Sequence, residues 1–325
     1  MRDATMPPAG ITHLNDGILA IDTEFARPLL DASHLIIEGG RAAFVDTGVN
    51  DSVPLLLDAL GQQELDVGDV DYVFLTHIHL DHAGGAGKLM GALPNARCVI
   101  HPRGAPHMVE PSKLIAGVEA VYGIEETRQV YGVLEPIAAD RIVVADDEMW
   151  FELNGRAMQT IYTEGHARHH YVLNDPSSRG VFTGDSFGIS YRELDTVAGE
   201  FIYPSATPID FDPDAAHIAY DRILACEPDF VYLTHYSRVA DLERLAADLH
   251  GDIEAYRKIA LDCATARNRQ AALEESMFDY LAGRLTAHGY RGGNDAMKSM
   301  LGIDVDLNAK GLGVWLDRRQ KRRNK

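Results

Sequence analysis

The sequence predicts an α/β protein in which helices cover two β-sheets and a helical region follows at the C-terminal end. Short apolar runs bounded by Gly, Asp or Pro alternate with segments of helical periodicity, which is typical of sheets covered by helices. This alternation occurs twice along the chain, so we expect two sheets packed on each other. From residue 239 onward the apolar residues follow three- and four-residue spacing, which indicates helices.

Strands are predicted where a segment is rich in β-branched and aromatic residues and ends at a turn residue. In the first half these are GILAID (17–22), SHLIIEGG (33–40), AAFVDTG (42–48), DYVFLTH (71–77) and ARCVIHP (96–102). Two helices are predicted between these strands, DSVPLLLDALGQQ (51–63) and HAGGAGKLMGAL (82–93). The first half is therefore predicted to form one sheet covered by helices.

The second half repeats this pattern and predicts the second sheet. Its strand-like segments are EMWFEL (148–153), AMQTIYTEG (157–165), HYVLND (170–175), GVFTGD (180–185) and PDFVYLTHY (228–236). The segment DPDAAHIAYDRILACE (212–227) reads as the helix that precedes the last strand.

We divide the chain into a sheet-containing domain, 1–238, and a C-terminal helical extension, 239–325. Apolar residues in the extension recur on one helix face, at Leu242, Leu245, Leu249, Ile253, Tyr256 and Ala260, and again at Phe278, Leu281 and Leu285. The extension is either a cap over a site or a packing appendage or homodimer surface, and the sequence leaves these alternatives open. The basic tail 318–325 is expected to be solvated, with a docking or anion-binding role as the alternative.

Composition excludes several classes of partner. The chain has 325 residues, 46% of them apolar, and a formal net charge of −19, which disfavours a nucleic-acid partner. No stretch has the length and apolarity of a membrane span, and the first 17 residues contain no apolar core of a secretion signal. The three cysteines lack metal-type spacing and are expected to be reduced thiols. These features predict a cytoplasmic protein that does not bind membranes.

The stretch FLTHIHLDHAGGAG (74–87) concentrates metal-binding side chains at one strand end. His77, His79, Asp81 and His82 follow the apolar run VFLT, and glycines come directly after them. Beyond the strand the backbone can turn, so these side chains can point at one centre. Imidazole and carboxylate are the preferred ligands of Zn²⁺ and also suit Fe and Mn. A metal site is therefore predicted here.

Three later strands deliver further ligand-type residues in the same way. His166 follows the strand ending in TEG, Asp185 follows GVFTG, and His235 follows VYLT. The "LTH" ending at His235 repeats the "LTH" ending at His77, which favours an internal duplication with ligands at matching strand ends. Such strand tips are where binding crevices form in α/β proteins.

The motifs THIHLDHAGG, TEGHARHH, TGDS and LTHYS, in this order, resemble the metallo-β-lactamase superfamily, particularly its glyoxalase II-like metallo-hydrolases, over residues 15–238. The resemblance implies a four-layer αβ/βα sandwich of two mixed sheets. It implies one metal site of His77, His79 and His166, a second of Asp81, His82 and His235, and a bridging Asp185. It also implies that Asp46, in FVDTG, braces the ligand loop.

This resemblance implies hydrolase activity with two divalent metal ions as cofactors, and we expect Zn²⁺, with Fe or Mn as alternatives. A hydroxide shared by the metals would attack the carbonyl of an ester, thioester or lactone in a small-molecule substrate. Asp81 is the predicted catalytic residue, because it would both bind the second metal and orient the hydroxide. The alternative is a diiron redox or oxygen-binding protein on the same fold.

Three further residues are candidates for the surroundings of the centre because they neighbour the ligands in sequence. His170 follows His166 in GHARHH, Tyr191 lies six residues after Asp185, and Tyr236 directly follows His235. Each is either a pocket or ligand-supporting residue or an ordinary packing residue.

Overall fold

The computed structural model describes residues 10–323 and contains two mixed β-sheets flanked by helices. The thirteen strands of the described residues are β1 Ile11–His13, β2 Ile18–Asp22, β3 Ala32–Glu38, β4 Arg41–Val45, β5 Val70–Leu75, β6 Arg97–Ile100, β7 Ile142–Val144, β8 Trp150–Leu153, β9 Arg156–Tyr162, β10 Tyr171–Asp175, β11 Gly180–Gly184, β12 Phe230–Leu233 and β13 Ser237–Val239.

Ten α-helices are assigned between residues 10 and 323. They are α1 Val53–Gln62, α2 Leu80–Ala83, α3 Ala86–Ala92, α4 Ala105–Val109, α5 Ser112–Tyr122, α6 Ile124–Tyr131, α7 Pro213–Leu224, α8 Leu242–Cys263, α9 Arg269–Ala287 and α10 Asn294–Arg323. Residues 1–9 and the last two residues of the basic tail lie outside the described residues. Residues 1–9 belong to the N-terminal stretch for which the sequence predicts no secretion signal. Between residues 10 and 323, no helix combines the length and apolarity needed to cross a membrane.

The first sheet has seven strands in the order β1 to β7, and the second has six in the order β13-β12-β11-β10-β9-β8. β4 to β7 run parallel to each other, and β11 runs parallel to β12. The other pairs are antiparallel, so both sheets are mixed.

Alternating residues along the strands divide the core into three apolar layers. On β5, Val73 and Leu75 pack with α1 and α3 on the outer face, whereas Phe74 packs between the two sheets. The outer face of the second sheet packs on α7 and on the three C-terminal helices. This arrangement confirms the predicted four-layer αβ/βα sandwich with C-terminal helices.

The C-terminal helices α8, α9 and α10 share one continuous apolar core with the second sheet. The predicted stripe of α8 is buried from Leu242 to Ala260, and Leu281 and Leu285 of α9 are fully buried. Because no boundary between separate cores lies near residue 239, the division into two domains stays a prediction.

One predicted helix is divided in the structure. We expected a single helix over 82–93, but α2 ends at Ala83 and α3 begins at Ala86. Gly84 and Gly85 form the junction. A Cβ added at Gly84 would lie 2.4 Å from the Leu80 carbonyl oxygen, and a Cβ added at Gly85 would lie 2.7 Å from the Val49 carbonyl oxygen. The close backbone approach at these glycines positions the ligand loop against the segment after β4.

Candidate metal centre

The seven predicted ligands lie together at the carboxyl ends of strands from both sheets. β5 ends two residues before His77, and β9 ends four residues before His166. β11 and β12 end just before Asp185 and His235. A backbone hydrogen bond of 2.9 Å from Tyr171 N to Thr76 O joins the two sheets at this point. The strand ends therefore bring residues that are distant in sequence to one centre.

Three imidazoles form the first half of the centre. His77 Nε2 and His166 Nε2 each lie 2.9 Å from His79 Nδ1. The three nitrogens lie within 4.8 Å of one another, so one cation can contact all of them. This is the group that the sequence predicts as the first metal site.

The second half of the centre consists of Asp81, His82 and His235. Asp81 Oδ2 lies 3.7 Å from His82 Nε2 and 3.5 Å from His235 Nε2. The side chain of Asp81 is 26% exposed, whereas those of His82 and His235 are buried. Asp81 is therefore the ligand-type side chain of this group that faces the opening of the centre.

Asp185 lies between the two groups and directs one carboxylate oxygen toward each. Its Oδ2 is 3.4 Å from His166 Nε2, while its Oδ1 is 3.2 Å from His82 Nε2 and 3.5 Å from His235 Nε2. Asp185 is therefore within reach of histidines from both groups.

The outer ring nitrogens of four histidines are held by hydrogen-bond acceptors. His166 Nδ1 lies 3.1 Å from the Ser205 carbonyl, and His235 Nδ1 lies 2.9 Å from the Leu30 carbonyl. Because a carbonyl can only accept, these Nδ1 atoms carry hydrogens, which leaves the Nε2 atom of each ring available to a cation. His82 Nδ1 faces Asp46 at 2.9 Å, and His77 Nδ1 faces Thr76 Oγ1 at 3.2 Å. Metal-binding histidines are typically oriented in this way.

Two observations indicate that the residues of the centre fit bound metal. His82 Nε2 and Asp185 Oδ1 are fully buried and face each other at 3.2 Å, and among the described residues neither makes a hydrogen bond of good geometry, so a cation between them would satisfy both. Burial also lowers the pKa values of His77 and His79 well below the usual value, which keeps their imidazoles neutral. For Asp185, burial raises the pKa, but His82, His166 and His235 lower it further, so the carboxylate is ionised. Burial lowers the pKa values of His82 and His235, but the nearby Asp81 and Asp185 outweigh it and raise the pKa of His82 well above its usual value and that of His235 to about 10, so a cation would have to displace a proton from these two rings. Metals bind neutral imidazoles and ionised carboxylates.

Asp46 connects the two ligand loops. Its carboxylate accepts hydrogen bonds from Thr76 N at 2.8 Å, from Thr76 Oγ1 and from Thr234 Oγ1 at 2.9 Å. Together with the His82 contact, these bonds fix residues on both sides of the centre. The two threonines were missed as supporting residues, although the repeated "LTH" places one directly before His77 and the other directly before His235.

His170 contacts His77 of the first group and Asp185. Its Nε2 accepts a hydrogen bond from Asp185 N at 3.3 Å, and its Nδ1 lies 3.0 Å from Ser186 Oγ. Its ring stacks on that of His77 with the centroids 4.7 Å apart. His170 thus touches two ligand residues without being a donor in the cluster itself.

Tyr191 and Tyr236 are buried beside the centre but belong to no ligand group. The Tyr191 hydroxyl lies 3.4 Å from Asp304, and the Arg27 guanidinium lies 4.6 Å from its ring centroid. The Tyr236 hydroxyl is buried without a hydrogen-bond partner. Asp31, which no sequence motif indicates, is also fully buried; its carboxylate has no hydrogen-bond partner among the described residues, and burial raises its pKa to about 7.

A sandwich of two mixed sheets, with five histidines and two aspartates converging at strand ends, defines an αβ/βα protein built around a cluster able to hold metal ions. The sequence profile of the metallo-beta-lactamase superfamily matches residues 27–235. The chain therefore belongs to this superfamily, as its motifs predict.

Individual relatives agree with this assignment. The metallo-beta-lactamase fold-containing protein ST1585 of Sulfurisphaera tokodaii is 34% identical over 172 residues, which are 51% of this chain and 57% of the relative. The chain thus spans little more than half of the length of this curated relative. The crystal structure of ST1585 superposes with a TM-score of 0.57 at 22% identity, covering 94% of this chain and 99% of the other.

Two other solved structures share the fold. The metallo-beta-lactamase family protein TTHA1429 from Thermus thermophilus has a TM-score of 0.62 at 20% identity, covering 89% of this chain and 94% of its own. The chemotaxis sensor ODP of T. denticola, solved with a peroxy diiron species, has a TM-score of 0.52 at 17% identity, covering 74% and 93%. At these identities the comparisons show the fold alone.

Proposed function

We propose that the protein is a dinuclear metal-dependent hydrolase that cleaves an ester, thioester or lactone bond of a small molecule. The observation that supports this proposal most directly is the position of Asp185, whose two oxygens face a three-histidine group and an Asp-His-His group. When bound, two divalent cations supply an activated water at neutral pH and polarise the substrate carbonyl.

The residues of the centre divide the remaining tasks between them. His77, His79 and His166 would hold one ion, and Asp81, His82 and His235 the other. Asp81 is the more exposed carboxylate, so it would face the substrate and orient the attacking water at the second ion. The buried carbonyl and carboxylate acceptors behind the histidines keep their tautomers fixed during the reaction.

A protein nucleophile is not required by this arrangement. Ser186, which follows Asp185, is buried, and its Oγ donates to Thr163 O at 3.0 Å and contacts His170. The formal net charge of −19 favours small-molecule substrates over nucleic acids. Zn²⁺ is the metal we expect, because three imidazoles form the first group.

Metal analysis and turnover measurements test the proposal together. Protein purified without added metal should contain two zinc ions and no visible absorbance, and it should hydrolyse members of a panel of thioesters, lactones and esters but not an RNA oligonucleotide. Asp81→Asn should abolish turnover, whereas Asp140→Asn, at an exposed site away from the centre, should leave it unchanged. Two irons with a charge-transfer band and no turnover would instead support the diiron redox or oxygen-binding alternative.

A further inference from the structure

A cavity of about 240 Å³ lies between the start of α7 and the C-terminal half of α10, outside the metal centre. Its wall contains four arginines and one tryptophan, which are Arg257 of α8 and Trp315, Arg318, Arg319 and Arg322 of α10. The last three belong to the basic tail, for which the sequence left an anion-binding role open. Because the chain has a formal net charge of −19, this concentration of positive charge is opposite to its overall composition.

The two carboxylates that also line the cavity are engaged elsewhere. Asp212 caps α7, where its side chain accepts hydrogen bonds from Asp214 N and Ala215 N. A carboxylate in this position stabilises the positive end of the helix. Asp214 Oδ1 lies 2.5 Å from Arg257 Nη2, so these two charges offset each other. The arginines of α10 are therefore left to balance their charges with other partners.

Within the described part of the chain, these three arginines of α10 have no carboxylate partner. Arg318 Nη1 donates to the Ile209 carbonyl at 3.0 Å, which orients the guanidinium but leaves its charge unpaired. The Arg319 guanidinium lies 5.5 Å from the ring centroid of Trp315. Arg322 makes no hydrogen bond or ion pair with any described residue. Three positive charges thus line one cavity without a counter-charge from the protein.

A phosphate group matches this charge better than a carboxylate does. Guanidinium groups bind phosphate oxygens through pairs of parallel hydrogen bonds. A phosphate monoester carries a charge of about −1.5 to −2 at pH 7, whereas a carboxylate carries a single charge.

The size and the lining of the cavity indicate a small ligand. Its volume of about 240 Å³ is below the range of about 300–1,000 Å³ that is typical of sites for drug-sized molecules. Trp315 is partly buried against the apolar core and adds a ring surface to an otherwise charged wall. A ligand with one phosphate group and a compact organic part fits both properties.

We propose that this cavity binds a phosphorylated small molecule, whose phosphate group is held by Arg318, Arg319 and Arg322. The site is independent of the reaction at the metal centre, because none of the lining residues is one of the seven predicted ligands. A bound molecule connects the end of α10 to the start of α7.

Tryptophan fluorescence tests the proposal at the cavity itself, because Trp315 is one of the two tryptophans of the chain. In Trp150→Phe, at a 54% exposed position of β8, the tryptophan emission comes from Trp315 alone. Titration of this full-length, metal-loaded protein with ribose 5-phosphate should give a saturable change in emission. Ribose, and sodium chloride at the same ionic strength, should give none. Phosphate that bound only at the metal centre would not contact Trp315 and would leave its emission unchanged.

A charge substitution in the same background identifies the phosphate-binding residues. Arg322→Gln removes one unpaired charge and should weaken the binding of ribose 5-phosphate by about tenfold. The control Arg291→Gln removes the same charge at an exposed position before α10 and should leave the affinity unchanged.

Three results would overturn the proposal. The first is the absence of a saturable change in Trp315 emission, and the second is equal affinity in Arg322→Gln and in the control. The third is a response to vesicles of equal parts phosphatidylcholine and phosphatidylserine with none to ribose 5-phosphate, because the arginines would then bind a lipid surface.

Discussion

At the scale of single residues, Asp46 shows how one carboxylate organises the centre. It accepts from the backbone and side chain of Thr76 and from the side chain of Thr234, and it also faces His82. Its φ of 57° is in the left-handed region, which Asp tolerates better than most residues. One side chain thereby fixes the strand ends that carry ligands of both groups.

His34 is a buried histidine outside the ligand set, and its titration makes the fold sensitive to acid. Burial lowers its pKa from 6.5 to about 4, an effect that Asp46 only partly offsets. Since the unfolded chain binds a proton near pH 6.5 and the folded chain does not, stability is fully present above pH 6.5 and falls as the pH drops toward 4. The full shift corresponds to about 3 kcal/mol.

The measurement compares the free energy of urea unfolding of the metal-loaded wild type and of His34→Gln at pH 7 and pH 4.5. The glutamine can still reach Ser237 Oγ, which lies 3.3 Å from His34 Nε2, but it does not titrate. The variant should lose less stability than the wild type between these pH values. Equal losses in both proteins would show that His34 does not bind its proton differently in the folded and unfolded states.

At the scale of elements, the end of β11 sets the position of the bridging carboxylate. Gly184 has a φ of +49°, and an added Cβ there would lie 2.5 Å from Thr76 Oγ1 and 2.8 Å from His170 Nε2. Gly184→Ala should therefore displace Asp185, lower the bound metal below two equivalents and destabilise the fold by more than about 1 kcal/mol. Metal analysis after dialysis and denaturant unfolding measure both effects.

The control for this variant is Gly251→Ala in α8, where an added Cβ meets no atom within 4 Å. At this helix position alanine should stabilise the fold by up to about 1 kcal/mol and leave the metal content unchanged. If Gly184→Ala kept two metal ions and wild-type stability, the close approach at the strand end would not control the position of Asp185.

Ten of the thirteen strands of the described residues, and the ligand loops, were predictable because both are encoded locally, whereas β1, β7 and β13 were not predicted. Apolar runs ending in "LTH", "TEG" or "TGD" show where each strand stops and which side chain follows. Other elements depend on distant contacts. The interruption between α2 and α3 lies where Gly85 approaches the distant Val49 closely, and α4 to α6 lie in a stretch for which we predicted no element. No local pattern indicated that Ser205 and Leu30 would present carbonyls to His166 and His235.

At the scale of the whole molecule, the C-terminal helix α10 is connected to the metal centre through one segment, 203–206. Asp304 accepts a hydrogen bond from Tyr203 at 2.9 Å, and Asn308 bonds Ala206 N at 2.6 Å and Pro204 O at 3.1 Å. Within the segment, the Ser205 carbonyl accepts from His166, and Ser205 Oγ donates to Asp185 at 3.1 Å. The extension thus supports two predicted ligands without contacting a metal position.

This connection predicts that a substitution in α10 weakens metal binding. In Asn308→Leu the leucine side chain has nearly the same size as asparagine but cannot form the hydrogen bonds to Ala206 N and Pro204 O. Both backbone groups should then lose their side-chain partner. The resulting freedom of Ser205 should weaken the orientation of His166 and Asp185 and reduce metal affinity by about tenfold. Competition with a chromophoric chelator measures the affinity, and Ile303→Ala, at a 60% exposed position of the same helix, is the control.

The outcome distinguishes a packing appendage, one of the alternatives that the sequence left open, from a role in supporting the ligands. A packing appendage would lose stability in Asn308→Leu, but metal affinity measured on the folded protein would equal that of Ile303→Ala. A supporting role predicts weaker metal binding even under conditions in which the variant is fully folded, because the effect passes through Ser205 to the ligands. Asn308 is fully buried, and its partners lie more than one hundred residues away in sequence. The second result would therefore connect the core that the helices share with the second sheet to metal binding.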